Sequence, residues 1–165
     1  MAGSEDSRSL RGDAAAHALR LTFQYRGRDL RLIGSQRLAM VVPPPVTPPP
    51  ARGQSGYWIE LTDAAGHVVY HRPLYRPIAV DAEVYAADGK QTIARVPVAN
   101  PEGQFTVLVP DLAQASVFAL HGPPDPGSPT EPARELLRLD VDALRKFPPE
   151  RPPGDPSAPD APKGS

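Results

Sequence analysis

Three histidines and one aspartate are the residues best suited to bind a metal ion, and their spacing decides whether they can share one. The sequence has four histidines and no cysteine, so a metal would need imidazole and carboxylate ligands. His67 and His71 on one strand would lie about 13 Å apart at ~3.3 Å per residue, which is too far for a single ion. Asp63 could approach His67 across a turn, and His121 could join from another strand. These four are the candidate ligands, but solvent-facing histidines explain the pattern more simply, and we predict neither a metal nor another cofactor.

Two further arrangements could support hydrolysis. The serine of Gln54-Ser55-Gly56 could act with His67 or His71, but it lacks the G-x-S-x-G context that presents such a nucleophile. Asp81 and Glu83 would share a strand face about 6.6 Å apart at the same rise, although a solvated strand face is the simpler explanation. The sequence contains no HExxH motif, EF-hand loop or glycine-rich phosphate loop. We therefore predict no catalytic residues, and a metal-dependent hydrolase using the histidines is the alternative.

The clearest folding signal is the segment 56–72, GYWIELTDAAGHVVYHR, which predicts a β-hairpin. Apolar residues alternate with polar ones before and after the turn residues 63–66, with the period of 2 expected when one sheet face is buried. The apolar positions are Tyr57, Ile59 and Leu61, then Val68 and Tyr70. Trp58 stands on the polar side, where it could pack against a loop or serve as an aromatic anchor for a partner.

Similar alternation elsewhere predicts seven to nine short strands in all. The segment 134–144 fits either a strand or a helix, and we favour a closing strand to about Val141 with a helical turn at 142–146. A strand ending at Pro110, a short corner at 111–116 and an apolar strand at 117–120 resemble the corner before the last strands of immunoglobulin-like and fibronectin type III sandwiches. We predict an all-β, antiparallel β-sandwich of this kind over residues 17–145.

Proline-rich segments mark the connections and the end of the chain. Residues 42–50, VPPPVTPPP, predict an extended crossover between sheets, because proline lacks an N–H and has a fixed φ. This crossover could also serve as a ligand for a proline-binding groove, presenting Pro43, Pro44, Pro45, Pro48, Pro49 and Pro50. The segment 122–133 is predicted to be a loop. Residues 1–16 are predicted to be a flexible N-terminal segment and residues 146–165 a disordered proline-rich tail.

Charge and hydropathy limit the partners. The chain has 18 basic and 19 acidic residues and a net charge of -1, so it lacks the basic patch that nucleic acid or an anionic membrane requires. No apolar run approaches the roughly 18 residues of a membrane span, and no secretory signal is visible. We therefore expect a cytoplasmic protein, unless the chain was cut from a longer precursor. It would be a monomer or weak homodimer that binds an unidentified protein, with Trp58 and Tyr85 as further interaction candidates.

One family resemblance covers much of the chain. The hairpin segment, the acidic alternating strand after it and the run RVPVANPEGQFTVLVPDL resemble the all-β N-terminal accessory domain of bacterial IgA-peptidase-like metalloproteases. The positions that suggest it are Gly56, Tyr57, Glu60, Asp63, Val69 and Tyr70, and the similarity spans about residues 18–121. The sequence has no metalloprotease motif, so the resemblance implies an accessory sandwich without its enzyme. The predicted function is a non-catalytic accessory or protein-interaction module.

Overall fold

The computed structural model describes residues 17–46, 53–85 and 93–150. These residues form nine strands and one short helix, which confirms the predicted all-β class. In chain order the elements are β1 (Ala18–Arg26), β2 (Asp29–Leu38), β3 (Tyr57–Thr62), β4 (Val68–Leu74), β5 (Asp81–Tyr85), β6 (Ile93–Pro97), β7 (Glu102–Pro110), β8 (Val117–Gly122), β9 (Arg134–Asp140) and α1 (Val141–Lys146). No helix in the described ranges is long and apolar enough to cross a membrane.

The strands form two larger antiparallel sheets and one separate hairpin. The first sheet has the order β2-β1-β7, and the second has the order β4-β3-β8-β9. β5 pairs with β6 in a two-stranded sheet of its own. Residues of both larger sheets belong to one buried apolar cluster, so the two sheets pack as a sandwich around a shared core.

β1 shows how the sequence pattern builds this core. Its alternating residues Leu19, Leu21 and Phe23 are fully buried, as the period of 2 predicts. The Phe23 ring stacks on Phe118 of the opposite sheet with centroids 5.8 Å apart, and on Phe105 of β7 at 5.4 Å. Burial of each such large apolar side chain stabilises the fold by about 1.5–3 kcal/mol before chain entropy is counted. The two sheets are therefore held together mainly by stacked aromatic and aliphatic side chains.

The central hairpin forms as predicted, with one irregularity. β3 and β4 pair so that Leu61 faces Tyr70 and Thr62 faces Val68, which leaves Val69 as an extra residue in β4. The extra residue shifts the alternation of side chains between the two sheet faces. Val68, before the bulge, is therefore 44% exposed, whereas Tyr70, after it, is buried. The prediction that Val68 and Tyr70 share the buried face is therefore wrong for Val68.

Strand β9 and helix α1 close one end of the sandwich. Strand β9 passes directly into α1, which agrees with the predicted closing strand and helical turn. The side chain of Asp140 caps the helix by accepting a hydrogen bond of 2.9 Å from the N–H of Ala143. Val141 and Leu144 are buried in the core. The short helix therefore covers apolar residues that the two sheets would otherwise expose.

The packed chain continues beyond the predicted boundary at residue 145. The N–H of Phe147 donates to the carbonyl of Leu144, and the N–H of Ser35 donates to the carbonyl of Pro148 at 2.9 Å. The backbone of Glu150 lies directly against Gly34 of β2. The predicted disorder is therefore wrong for residues 146–150, because they cover the edge of β2. The rest of the predicted tail, 151–165, and the predicted flexible segment 1–16 lie outside the described residues.

The proline-rich crossover runs along the edge of β4. The N–H of Val46 donates to the carbonyl of His71 at 3.0 Å, and the hydroxyl of Tyr70 donates to the carbonyl of Pro43 at 3.3 Å. The rings of Pro43, Pro44 and Pro45 are exposed. The described part of the crossover, residues 42–46, therefore occupies the outer edge of the four-stranded sheet, and its three prolines face solvent.

Candidate functional site

The two candidate ligands nearest the hairpin turn have a structural role. Asp63 Oδ1 accepts hydrogen bonds from the backbone N–H groups of Ala65 at 2.9 Å and His67 at 2.8 Å, and Oδ2 lies 3.1 Å from the His67 ring. The pKa of Asp63 is lowered, chiefly by the hydrogen bond from the His67 backbone. An Asp that binds the backbone two and four residues ahead stabilises a turn. Asp63 and His67 therefore make the exposed hairpin tip.

The other two histidines lie on the outer face of the four-stranded sheet, far from that tip. Strand register places His71 opposite Glu60 and His121 opposite Trp58. Because residues directly opposite each other share a sheet face, these four side chains form one group. We call Trp58, Glu60, His71 and His121 the outer cluster.

Trp58 is the centre of the outer cluster. Its ring stacks on the His121 ring with centroids 5.1 Å apart and planes 8° from parallel. Its indole Nε1 donates to Glu60 Oε1 at 3.0 Å, and the residue is only 8% exposed. This packing accounts for an aromatic residue on the polar face of β3 and leaves little of its ring for a partner.

His71 is held in one tautomer. Its Nδ1 lies 3.1 Å from the carbonyl oxygen of Val46, and since a carbonyl only accepts, Nδ1 carries the proton. In the neutral ring Nε2 then presents a lone pair, and this buried atom has no hydrogen-bond partner in the described residues. Such a nitrogen has the chemistry of a base or a metal ligand. His71 is only 6% exposed, however, so the lone pair is covered.

Glu60 carries the negative charge of the outer cluster. Its Oε2 lies 3.3 Å from His121 Nε2, close enough for electrostatic attraction, although that nitrogen makes no proper hydrogen bond. The pKa of Glu60 is lowered, above all by its pairing with His121 and against the opposing effect of burial. On β9, two strands away from β3, Glu135 is paired with Arg138 at 2.6 Å. The acids of this face are thus matched by nearby histidine or arginine.

These contacts separate the candidate metal ligands into two places. Asp63 and His67 pair at the hairpin tip, while His71 and His121 belong to the outer cluster. Within the ranges that the structure describes, no three His, Asp or Glu side chains are arranged to hold a metal ion. The outer cluster is therefore best described as a covered polar network on the sheet surface.

The remaining sequence candidates are scattered. Ser55 precedes β3 and bridges to Pro132, whereas His67 follows β3 beyond its far end. Asp81 begins β5, and the side chains of Glu83 and Tyr85 lie outside the described part of the chain. Pro48, Pro49 and Pro50 also lie outside it. The structure places Ser55 and His67 at opposite ends of β3, and the carboxylate pair stays a prediction because the side chain of Glu83 lies outside the described residues.

One large cleft in the described residues was not predicted from the sequence. It has a volume of about 1120 Å³ and lies where the β1–β2 turn, the segment between β4 and β5, the connection from β6 to β7 and the loop after β8 meet. We call it the end cleft. Its apolar lining comprises Tyr57, Ile78, Val80, Pro97, Val98, Pro101, Pro126 and Pro129.

Two tyrosines form the base beneath the end cleft. Tyr25, Tyr57 and Ile78 make a second, smaller apolar cluster beside the main core. An added Cβ on Gly122 would lie 2.5 Å from the Tyr57 ring, and one on Gly103 would lie 2.6 Å from the Tyr25 hydroxyl. Only glycine leaves room for the two rings at these positions. The base of the cleft is therefore closely packed.

The hydroxyl of Tyr57 is unsatisfied. It is buried and has no hydrogen-bond partner among the described residues, whereas the Tyr25 hydroxyl accepts from the N–H of Ala79 at 3.2 Å. Burial raises the pKa of Tyr57, and the nearby negative charge of Asp125 adds to the effect. A buried hydroxyl without a partner costs about 1–3 kcal/mol. Tyr57 thus holds an unused donor next to an apolar opening.

The charged residues around the end cleft are largely paired. Arg28 contacts Asp125 at 3.0 Å, and Arg26 contacts Glu102 at 3.2 Å. The pKa of Asp125 is lowered, first by a hydrogen bond from the N–H of Gly127 and then by Arg28. Exposed pairs of this kind contribute little to stability. They leave the cleft without a dominant charge, so its apolar and proline residues set the chemistry that it can recognise.

No family model, curated protein or solved structure matches this chain. The resemblance to the accessory domain of IgA-peptidase-like metalloproteases therefore stays a prediction.

Proposed function

We propose that this chain is a non-catalytic, immunoglobulin-like β-sandwich that acts as a protein-interaction or accessory module. The observation that carries the proposal is the end cleft, an apolar opening lined by loops from several parts of the fold. Loops held by a rigid sandwich are a common location for binding surfaces. In the outer cluster, in contrast, the Nε2 atoms of both His71 and His121 are buried, so a substrate would not reach them.

Strand order supports the immunoglobulin-like assignment in one sheet. The order β4-β3-β8-β9 corresponds to the C′-C-F-G sheet of such domains, in which strands from distant parts of the chain are neighbours. The three-stranded sheet departs from that pattern, because its first strand is central, whereas the second strand separates A from E in the immunoglobulin sheet. The proposal is therefore an immunoglobulin-like sandwich with a rearranged first sheet.

The chemistry of the end cleft indicates the kind of partner. Its prolines and aliphatic residues favour an apolar or proline-rich segment, and its paired charges give no preference for a strongly charged one. We therefore propose that the partner inserts an extended, apolar stretch of its chain.

The test is affinity capture from a lysate of the source organism with the full chain and with a version ending at Glu150. The shorter version keeps the contacts of residues 147–150 with β2. Stoichiometric retention of one protein by both versions is the expected result. Failure of both versions to retain any protein would contradict the proposal.

A second candidate is that the sandwich presents its own prolines to a proline-binding domain. Its supporting observation is that Pro43, Pro44 and Pro45 are exposed while the flanking backbone is fixed to β4. A fixed extended segment loses less entropy on binding than a free one. Replacing these three prolines by alanine should then abolish capture without changing the fold, whereas binding in the end cleft should survive that change.

A further inference from the structure

β7 is an edge strand of the three-stranded sheet. Among the edge strands of the two larger sheets, it is the one whose outer edge the described residues leave both unpaired and unprotected. It pairs with β1 along its whole length, and its other edge makes no backbone hydrogen bond to the described residues. Every second residue of an edge strand directs its N–H and C=O groups away from the sheet. β7 therefore offers a row of backbone donors and acceptors to an additional strand.

The other edges carry the devices that prevent such pairing. The edge of β2 is covered where Ser35 binds Pro148, and the edge of β4 is covered where His71 binds Val46. β9 contains four charged residues in its seven positions and pairs with β8 through a bulge. Charges, bulges and covering segments are the usual protection of sheet edges. β7 stands out because its residues 103–109 have none of the three in the described residues.

The sequence of β7 makes it suited to a copy of itself. Residues 103–109, GQFTVLV, contain no charge and no proline, and the register with β1 is unbroken over nine residues. Thr106 is the central residue of the strand and is exposed. Antiparallel pairing about Thr106 places Gln104 opposite Leu108 and Phe105 opposite Val107 of the second copy. No like charges oppose each other in that arrangement.

We propose that two copies of this chain associate by antiparallel pairing of their β7 strands about Thr106. The two three-stranded sheets then form one continuous six-stranded sheet. The pairing would satisfy the open backbone groups and cover the half-exposed side chains of Phe105 and Leu108. None of residues 103–109 lines the end cleft, so this proposal does not depend on the proposed function.

The absence of cysteine from the sequence allows a direct test, because one introduced cysteine is the only thiol of each chain. In the proposed register the two Thr106 Cα atoms lie about 4.5–5.5 Å apart, within the range of a disulfide. The two Gln104 residues lie about 13 Å apart at ~3.3 Å per residue, which is beyond that range. Gln36→Cys, an exposed position on the opposite edge strand β2, is the matched control.

The experiment has two parts. The unmodified full chain is sedimented over a wide concentration range, and the variants Thr106→Cys, Gln104→Cys and Gln36→Cys are each oxidised mildly. We expect a reversible monomer–dimer equilibrium and a disulfide-linked dimer from Thr106→Cys alone. Thr106→Lys should raise the dissociation constant about tenfold or more, because it opposes like charges, while Gln36→Lys should not.

A chain that stays monomeric at every concentration would overturn the proposal and would leave the β7 edge to a strand of another protein. Linkage through Gln36→Cys or Gln104→Cys in preference to Thr106→Cys would overturn it as well.

Discussion

Replacing Tyr57 by phenylalanine should stabilise the free protein, which is an unusual result for a buried side chain. The variant keeps the ring that packs against Gly122 and removes only the hydroxyl that has no partner in the described residues. Desolvation of such a hydroxyl costs about 1–3 kcal/mol, which the variant recovers. The small cavity left by the missing oxygen offsets part of this stabilisation. We expect a net increase of about 1 kcal/mol in the free energy of unfolding.

Two tyrosines of the same fold provide matched controls with the opposite sign. Tyr70→Phe removes a donor to the carbonyl of Pro43, and Tyr25→Phe removes the acceptor of the Ala79 N–H. Each should lower the free energy of unfolding by about 0.5–1.5 kcal/mol. The three substitutions are chemically identical, so only the hydrogen bond of each hydroxyl distinguishes them.

Urea unfolding measures the difference. With a slope of about 1–3 kcal/mol/M, a change of about 1 kcal/mol moves the midpoint by about 0.3–1 M at constant slope. We expect the midpoint to rise for Tyr57→Phe and to fall for both controls. If Tyr57→Phe lowers the midpoint as the controls do, its hydroxyl has a partner and the reasoning about the base of the end cleft is wrong.

Two further predictions concern Asp111, which binds Arg145 of α1, and Gly34, which lies against Glu150. Asp111, which binds Arg145 at 2.8 Å and Arg37 at 2.7 Å, has a lowered pKa because these hydrogen bonds outweigh the burial that alone would raise it. Its stabilisation is present above its ordinary pKa of 3.8 and is lost as the pH falls through the lower folded value. Asp111→Asn should therefore cost about 1–3 kcal/mol at neutral pH and progressively less below about pH 4, measured by urea unfolding. At β2, Gly34→Ala would place its Cβ 2.5 Å from the Glu150 backbone nitrogen, so it should displace residues 147–150 and lower stability by about 1–3 kcal/mol.

Both of these predictions have an internal check. Asp142, which also contacts Arg145 but is 73% exposed, is the control for Asp111, and its change to Asn should have little effect. A pH-independent loss in Asp111→Asn would contradict the ion-pair explanation. For Gly34→Ala the control is a chain that ends at Lys146, in which the substitution should cost almost nothing. An unchanged cost there would mean that Glu150 is not what the added methyl group meets.

Local patterns predicted the strands well, whereas contacts between distant strands were beyond them. The alternation of β1 and of the central hairpin follows from one buried face, which any sheet position of this kind requires. The bulge at Val69 was missed, because one extra residue in β4 leaves the sequence pattern unchanged while it turns Val68 to solvent.

The outer cluster and the end cleft depend on long-range placement. His121 meets Trp58 only because β8 pairs with β3, strands that are far apart in sequence. The end cleft is assembled from four connecting segments, whose relative positions follow from the sheet order and not from their own composition. A sequence signal for its base does exist in Tyr25 and Tyr57 opposite Gly103 and Gly122, but it becomes visible only once the strand register is known.

The most direct test of the interaction proposal is capture of the partner by two matched valine variants. Val98 lines the end cleft and is 40% exposed, while Val41 lies between β2 and the crossover, does not line the cleft and is 62% exposed. Either can accept glutamate without burying a charge, and the two changes alter the net charge equally. If the end cleft is the binding surface, Val98→Glu should lose a partner that the wild type and Val41→Glu retain. Equal retention by both variants would contradict the account.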